Sequence, residues 1–145
     1  FRKLFGSLWK MEFLHDNWEY YLKETEALLY GQGAEEYHKL HEAFAGYLMK
    51  ESNAWSVQCE QLLVYFVYTY FCGGVYDGNV FDKVNMSVAA VLLIYEMLAA
   101  CFKKNGNMIT TEDVVRVVYR FSREMEHSDN NIGQMEEFPS LLKFF

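Results

Sequence analysis

The longest apolar stretch of the sequence, Met86–Phe102, constrains the fold most because almost all of its side chains must be shielded from water. It has 17 residues and carries Glu96 in its middle. A second apolar stretch, Leu62–Cys72, has 11 residues. A membrane-spanning helix needs about 20 apolar residues. Both stretches are therefore expected to be buried helices of a soluble domain, and we expect no membrane span.

The local signals along the chain are almost all helical. Two β-branched clusters, Val114-Val115 and Val117-Val118, lie inside a longer pattern of helical period, which favours a helix over a strand. Seven helices are predicted, at about Leu4–His15, Asp16–Tyr30, Ala34–Lys50, Trp55–Cys72, Phe81–Lys104, Thr110–His127 and Ile132–Phe138.

Length and pattern together define the expected fold class. Domains have about 100–200 residues, so residues 1–145 are expected to form one helical domain. The prediction is an all-α, single-domain bundle of six to seven helices. Leu62–Cys72 and Val84–Phe102 are expected to cross at its centre.

Capping residues and glycines set the predicted helix ends. Asp16 with Glu19 is a capping box, which predicts the start of the second helix. Several short segments rich in glycine, asparagine or serine predict loops or turns. They are Gly31–Gly33, Ser52-Asn53, Gly73-Gly74 with Asp77–Asn79, Asn105–Asn107 and Ser128–Asn131.

Charge and cysteine content exclude several classes of protein. The chain has 13 basic and 20 acidic residues, a net charge of −7, so no nucleic-acid partner is expected. Cys59, Cys72 and Cys101 are odd in number and widely spaced, which favours a reducing interior over a disulfide framework. The chain begins at Phe1 without a signal-peptide pattern, and we expect it to be part of a longer protein.

A basic strip is predicted on the sixth helix. Arg116, Arg120, Arg123 and His127 have the spacing i, i+4, i+7 and i+11, so they share one face. Three aligned guanidinium groups repel one another unless an anion faces them. That anion is expected to be either a set of carboxylates on neighbouring helices or a partner domain or anionic ligand.

Three Glu-x-x-His pairs raise the alternative of a metal site. Di-iron bundles use this spacing together with a lone Glu from each of two further helices, here Glu60 and Glu96. However, His127 points away from the apolar stripe of its helix, whereas a metal ligand in the core should share that stripe. We expect no metal in this chain, and the alternative site consists of Glu35, His38, Glu124 and His127.

Glu96 is the polar residue of the longest apolar stretch that most needs an explanation. A buried carboxylate is costly unless it is protonated, paired with an arginine or a tyrosine hydroxyl, or placed at a cleft. Structural pairing is the favoured interpretation.

Aromatic residues suggest a second class of function. Those at 65, 66, 68, 70, 71 and 76 are expected to lie in the core or at an interface. Trp9, Phe13, Trp18 and Tyr21 are spread over the first two helices, and an exposed face of this kind is typical of a non-enzymatic protein-interaction module.

Three segments carry a resemblance to a known family. The most specific is Tyr119–Asn131, Y-R-F-S-R-E-M-E-H-S-D-N-N. It resembles the Y-S-R-x-I-E-H-S-D-E-N signature near the C-terminus of the flagellin lysine-N-methylase family. Cys59–Phe71 and Val84–Leu98 are similar to two mostly apolar elements of the same family. Thr69 and Asn130 depart from its pattern, which has arginine and glutamate there.

The resemblance implies an enzyme that methylates lysine ε-amines of flagellin with S-adenosylmethionine, in the bacterial cytoplasm. Family members carry a cysteine-rich cluster in their N-terminal half, which is expected to hold a metal or iron–sulfur centre. This chain lacks that cluster, so the resemblance implies the C-terminal domain, inactive alone, with the cysteine-rich half and flagellin as partners.

The resemblance also singles out residues. Its signature positions are Ser122, Arg123, Glu126, His127, Ser128, Asp129 and Asn131. Together with Arg116 and Arg120, they are the candidates for contact with the N-terminal half or with the carboxylate of S-adenosylmethionine. The alternative is a purely structural role as a helix cap.

Overall fold

The computed structural model describes residues 1–50 and 54–137, and within those ranges it contains helices and no strands. The predicted all-α fold is therefore confirmed. The helices are α1 (Arg2–Gly6), α2 (Trp18–Tyr30), α3 (Ala34–Lys50), α4 (Ala54–Asp77), α5 (Val80–Lys104), α6 (Thr111–Met125) and α7 (Asp129–Glu136), with a 3₁₀ turn at Ser7–Lys10.

Helix α5 is the centre of the bundle, as predicted for Val84–Phe102. It packs against α1, α2, α3, α4, α6 and α7. Leu93, Ile94 and Met97 in its middle are completely buried. Among the described residues, α5 is also the one helix long and apolar enough to cross a membrane, but 67% of its apolar window is buried inside the protein, as in the core helix of a soluble domain.

Helix α4 is not a second central helix, so that part of the prediction is wrong. Phe66 is buried, but Tyr65, Tyr68 and Phe71 are exposed. The helix packs on the outside of α5, and only one of its faces is buried by this contact. Its sequence is apolar on every side, so periodicity could not indicate which side faces water.

The glycine pair of α4 is helical rather than a loop, which corrects the predicted boundary. The helix continues to Asp77, and the turn is limited to Gly78, whose φ of 75° requires glycine, and Asn79. Gly74 is needed inside the helix because α5 begins against it. A Cβ atom on Gly74 would lie 3.0 Å from Val80 Cα.

Alanine at the two glycines is expected to have opposite effects. Gly74→Ala forces a Cβ against the backbone of α5 and should lower the free energy of unfolding by about 1–3 kcal/mol. Gly73→Ala meets only the Lys83 side chain, at 3.7 Å. It should be neutral or stabilising by up to about 1 kcal/mol, because glycine is a poor helix former. Urea denaturation measures both, and equal effects would contradict the close contact.

The first predicted helix is shorter than expected. Helix α1 ends at Gly6 and the 3₁₀ turn at Lys10, so the prediction of one helix over Leu4–His15 is wrong. Residues 11–17 instead form an irregular segment, which contacts the far end of the chain as described below. Asn17 rather than Asp16 precedes α2, and its side chain makes no capping hydrogen bond, so the predicted Asp16–Glu19 capping box is absent.

The later helix ends agree better with the sequence. Thr110 and Asp113 form a capping box at the start of α6. Ser128 caps α7, which begins at Asp129 rather than at Ile132. The predicted turn at Ser52-Asn53 and the predicted last helical residue, Phe138, lie outside the described residues.

Candidate functional site

Asn131, a signature residue, joins the two ends of the chain at the corner between α6 and α7. Its side chain is fully buried. The amide oxygen accepts a hydrogen bond from the Glu12 backbone N–H at 2.8 Å, and the amide nitrogen donates to the Glu12 carbonyl at 2.9 Å and to the Glu124 carbonyl at 2.7 Å. These bonds fix the irregular segment 11–17 against the end of α6.

Ser128 and Glu124 also hold segment 11–17. We call these contacts of Ser128, Asn131 and Glu124 with segment 11–17 the corner clasp. Ser128 Oγ accepts from the Asn131 backbone N–H at 3.2 Å and donates to the Glu12 carboxylate at 3.1 Å. The buried Glu124 carboxylate accepts from the Leu14 N–H at 2.9 Å and contacts His15 Nδ1. Ser128 and Asn131 thus have a structural role, the alternative that the sequence left open.

The other signature residues at the corner are more accessible. His127 and Asp129 are exposed, and Ser122 and Arg123 are half-buried. Glu126 accepts a hydrogen bond of 2.7 Å from the hydroxyl of Tyr65 on α4. This hydrogen bond raises the pKa of Tyr65.

Arg116, Arg120 and Arg123 share one face of α6, as the helical spacing predicted, whereas His127 lies beyond the end of the helix at Met125. Arg116 pairs with two acidic residues of its own helix, Glu112 at 3.1 Å and Asp113 at 3.5 Å. Arg120 and Arg123 differ, since within the described residues no carboxylate lies within salt-bridge distance of either. Of the two expected kinds of anion, carboxylates on neighbouring described helices therefore do not pair with Arg120 or Arg123.

Aromatic rings take the place of those carboxylates. The Arg120 guanidinium lies 4.3 Å from the centre of the Tyr21 ring, and that of Arg123 lies 5.4 Å from the centre of the Tyr119 ring. A cation over an aromatic face is stabilised without being neutralised. The positive charge of both arginines remains available to an anion from outside.

The strip borders an open cleft, which we call the arginine cleft. Its volume is about 240 Å³. Segment 11–17 forms one wall of the cleft, so the corner clasp positions it. The lining residues are His15, Asn17, Arg116, Tyr119, Arg120, Arg123 and Glu124.

The free energy of unfolding is expected to fall at alkaline pH because several tyrosine hydroxyls are buried. Burial raises the pKa of Tyr21 from 10.0 to about 12, although Arg120 acts in the opposite direction. Burial also raises the pKa of Tyr30 and of Tyr37, and the Glu96 carboxylate adds to both shifts. A raised pKa means that the folded protein binds the proton more tightly than the unfolded chain does. Stability is then full below pH 10 and is lost as the pH rises toward 12.

Urea denaturation at a series of pH values from neutral upward measures this effect. Tyr21→Phe should remove part of the alkaline fall, whereas the exposed Tyr20→Phe should leave it unchanged. Stability that stays constant across this range would show that the phenols are not held neutral by burial.

Glu96 is completely buried and has hydrogen-bonding partners. The hydroxyls of Tyr30 and Tyr37 each donate to its carboxylate at 3.0 Å, and His41 Nε2 lies 3.2 Å away. Pairing with tyrosine hydroxyls is one of the arrangements that the sequence left open. The cluster joins α2 and α3 to the central helix, so it organises the core.

The Glu-x-x-His pairs do not converge. Glu124 contacts His15 rather than His127, and Glu35 forms an exposed pair with Lys39 at 2.9 Å. His38 and His127 are both exposed. Over residues 1–50 and 54–137, no three histidine, cysteine or acidic side chains are grouped so that they could hold a metal ion.

The exposed aromatic face is on α4 rather than on the first two helices. Of the four predicted residues, Trp18 is fully buried, Trp9 and Tyr21 are half-buried and Phe13 alone is exposed, at 37%, so they do not form the predicted exposed face. Tyr68 and Tyr76 of α4 are instead 83% and 93% exposed. One sequence signal could have indicated this exposed face. The sequence has two apolar stretches, and when the longer one occupies the centre of the bundle, the shorter one, which is apolar on all sides, keeps one face exposed.

Helices α4 and α6 are separated by an apolar groove, which is the second candidate site. Its volume is about 540 Å³. Its walls are Val57, Gln58, Gln61, Leu62 and Tyr65 from α4 and Thr111, Val114, Val115, Val118, Tyr119 and Ser122 from α6. Tyr119 lines both the groove and the arginine cleft, so its side chain lies between the two sites.

The fold and these two sites define an all-α domain with an accessible apolar and basic surface. The family model described as "FliB lysine N-methylase C-terminal domain" matches residues 1–143. The chain belongs to this family, as the signature at Tyr119–Asn131 indicated. No curated protein and no solved structure gives a match to the chain.

Proposed function

We propose that this domain is the docking and scaffold part of a cytoplasmic bacterial enzyme that methylates flagellin lysines with S-adenosylmethionine. In this proposal, catalysis depends on the cysteine-rich half of the enzyme. The observation that supports docking is the pair Arg120 and Arg123, which lie on aromatic rings and form no salt bridge with a described carboxylate. Arginines at an open cleft are typical of a surface that another protein segment covers.

The arginine cleft does not fit the whole methyl donor. A guanidinium can bind the carboxylate of S-adenosylmethionine. However, pockets that enclose molecules of this kind have volumes of about 300–1,000 Å³ and mostly apolar walls. The cleft has about 240 Å³, and all of its lining residues other than Tyr119 are polar or charged. We therefore assign the cleft to protein docking and expect S-adenosylmethionine to bind elsewhere in the enzyme.

The second candidate is a non-enzymatic interaction module. The exposed aromatic residues of α4 favour it, because a partner that buries Tyr68 and Phe71 need not be part of an enzyme. The two candidates differ in whether the arginines affect methylation.

Replacing the two arginines in the full-length methylase tests the proposed function. We expect Arg120→Ala with Arg123→Ala to lower flagellin methylation by about tenfold or more, because breaking charged contacts at an interface costs about 2–5 kcal/mol and 1.4 kcal/mol corresponds to a factor of ten. Mass spectrometry of methylated lysines in flagellin measures the loss. Each single variant should show a smaller loss.

Lys39→Ala on α3 is the matched control, since it also removes one exposed positive charge. Circular dichroism should show that all variants keep their helical content. Full methylation by the folded double variant would contradict the docking role and favour the interaction module.

A further inference from the structure

The outer side of α4 carries a stripe of exposed and mostly apolar side chains, which we call the α4 seam. Its members are spaced alternately by four and three residues, the spacing of positions that pack against a second helix in a coiled coil. Successive residues are about 100° apart around a helix, so the seam covers an arc of about 80°. This arc lies on the side of α4 opposite the buried Phe66. The seam consists of Val57, Gln61, Val64, Tyr68, Phe71 and Val75.

The seam belongs to an uncovered surface that is large enough for a stable interface. The exposed aromatic and valine side chains of α4 together present on the order of 800 Å², since one aromatic side chain has about 150–250 Å². A stable complex buries about 800 Å² on each partner, whereas monomeric proteins rarely expose an apolar patch of more than a few hundred Å². The size of this surface therefore indicates a partner.

We infer that two copies of the enzyme associate through the α4 seam, with their α4 helices packed side by side and antiparallel. The seam is symmetric about Phe66, because its positions lie two, five and nine residues to either side. A two-fold axis beside Phe66 therefore brings every seam residue against a seam residue of the second copy. The pairs are Val64 with Tyr68, Gln61 with Phe71 and Val57 with Val75.

The sizes of the seam residues favour the antiparallel arrangement. A two-fold interface uses the same patch on both subunits, so the patch must complement itself. Antiparallel packing places the large ring of Tyr68 against the smaller side chain of Val64. Parallel packing would instead place Tyr68 against Tyr68 and Val64 against Val64, which leaves one layer crowded and the next one loose.

The charge distribution favours a second copy of this chain as the partner. Each copy has a net charge of −7, so two copies repel one another unless they meet at a face without charge. From Gln61 to Tyr76 the sequence has no charged residue. Glu60, beside the seam, falls opposite Cys72 of the second copy rather than opposite another acidic residue. The seam is thus uncharged and complementary to itself.

Photo-crosslinking in the full-length methylase tests this inference. The photoreactive residue p-benzoylphenylalanine replaces Val57, and mass spectrometry identifies the linked peptide. We expect a link to residues 72–76. Val57 and Val75 of one chain are separated by 18 residues of the same helix, or about 27 Å, so this link can form only between two copies. The same replacement at His38, an exposed residue of α3, should not link to residues 72–76.

The other crosslinking results would overturn the inference. A link from position 57 to the same region of a second copy would show parallel packing. A link only to flagellin or to the cysteine-rich half of the enzyme would show that another partner covers the seam. The absence of any link at position 57 would show that the seam is not an interface.

A charge placed in the middle of the seam provides the second arm. Tyr68→Glu introduces the charge twice, because the two-fold axis repeats it. Analytical ultracentrifugation of the full-length methylase should show a dimer whose dissociation constant rises by about a hundredfold or more, because an unpaired charge in a buried interface is strongly unfavourable. Tyr20→Glu on α2 is the matched control, since Tyr20 is also exposed but lies outside the seam, and it should leave the dimer unchanged.

The dimer and the proposed docking function can fail separately, because α4 contributes no residue to the arginine cleft. A monomeric wild-type enzyme, or a folded Tyr68→Glu variant that associates as tightly as the wild type, would overturn the dimer. Methylation that still depends on Arg120 and Arg123 would then keep the docking role. A dimer linked as expected, together with full methylation by the Arg120→Ala, Arg123→Ala variant, would keep the dimer and contradict the docking role.

Discussion

Glu96→Ala is expected to lower the free energy of unfolding by about 3–5 kcal/mol, because each buried polar group left without its partner costs about 1–3 kcal/mol and the lost side chain leaves a cavity. The variant loses the acceptor of two tyrosine hydroxyls, those of Tyr30 and Tyr37. Both hydroxyls remain inside the protein without their partner, and a cavity opens in the middle of α5. A domain of this size is stable by about 5–15 kcal/mol, so the loss is a large part of the total.

Two further variants make this expectation specific. Glu96→Gln keeps the shape of the side chain and one acceptor oxygen, so it should be less destabilising than Glu96→Ala. Glu60→Ala, at an exposed position of α4, should change stability by less than about 0.5 kcal/mol. Urea denaturation measures all three, and a loss below about 1 kcal/mol for Glu96→Ala would show that the cluster does not organise the core.

Asn131→Ala is expected to lower the free energy of unfolding by about 2–4 kcal/mol. Three hydrogen bonds of its side chain are lost, and the buried Glu124 carbonyl loses its partner. Asn130, next to it, is exposed and provides a control of the same residue type, since Asn130→Ala should have little effect.

The effect of Asn131→Ala should also be local. Segment 11–17 is held by the corner clasp, so hydrogen exchange at the backbone N–H groups of Glu12 and Leu14 should become faster, whereas exchange in the middle of α5 should change less. Because this segment forms a wall of the arginine cleft, flagellin methylation by the parent enzyme should fall as well. Equal behaviour of the Asn130 and Asn131 variants would contradict the clasp.

The features that were predictable from sequence depend on local pattern. The central position of α5 follows from its apolar length, and the arginine strip follows from helical spacing on α6. The capping box at Thr110 and Asp113 likewise involves residues close together in sequence.

The features that were not predictable depend on contacts distant in sequence. Glu12 and Asn131 are 119 positions apart, so no local pattern could place segment 11–17 against the end of α6. The same limit applies to α4, since a helix that is apolar on every side carries no information on which face is covered. The sequence predicts a loop at Gly74, because the close approach of Gly74 to Val80 that fits a glycine inside the helix is a contact between two helices.

The affinity of the full-length methylase for S-adenosylmethionine, compared with that of its Arg120→Ala, Arg123→Ala variant, tests the central claim most directly. If the arginine cleft docks protein, calorimetric titration should give affinities within about twofold of each other, a difference of about 0.4 kcal/mol, although the variant methylates flagellin poorly. A loss of affinity of about tenfold or more in the folded variant would contradict the account and make the cleft part of the cofactor site.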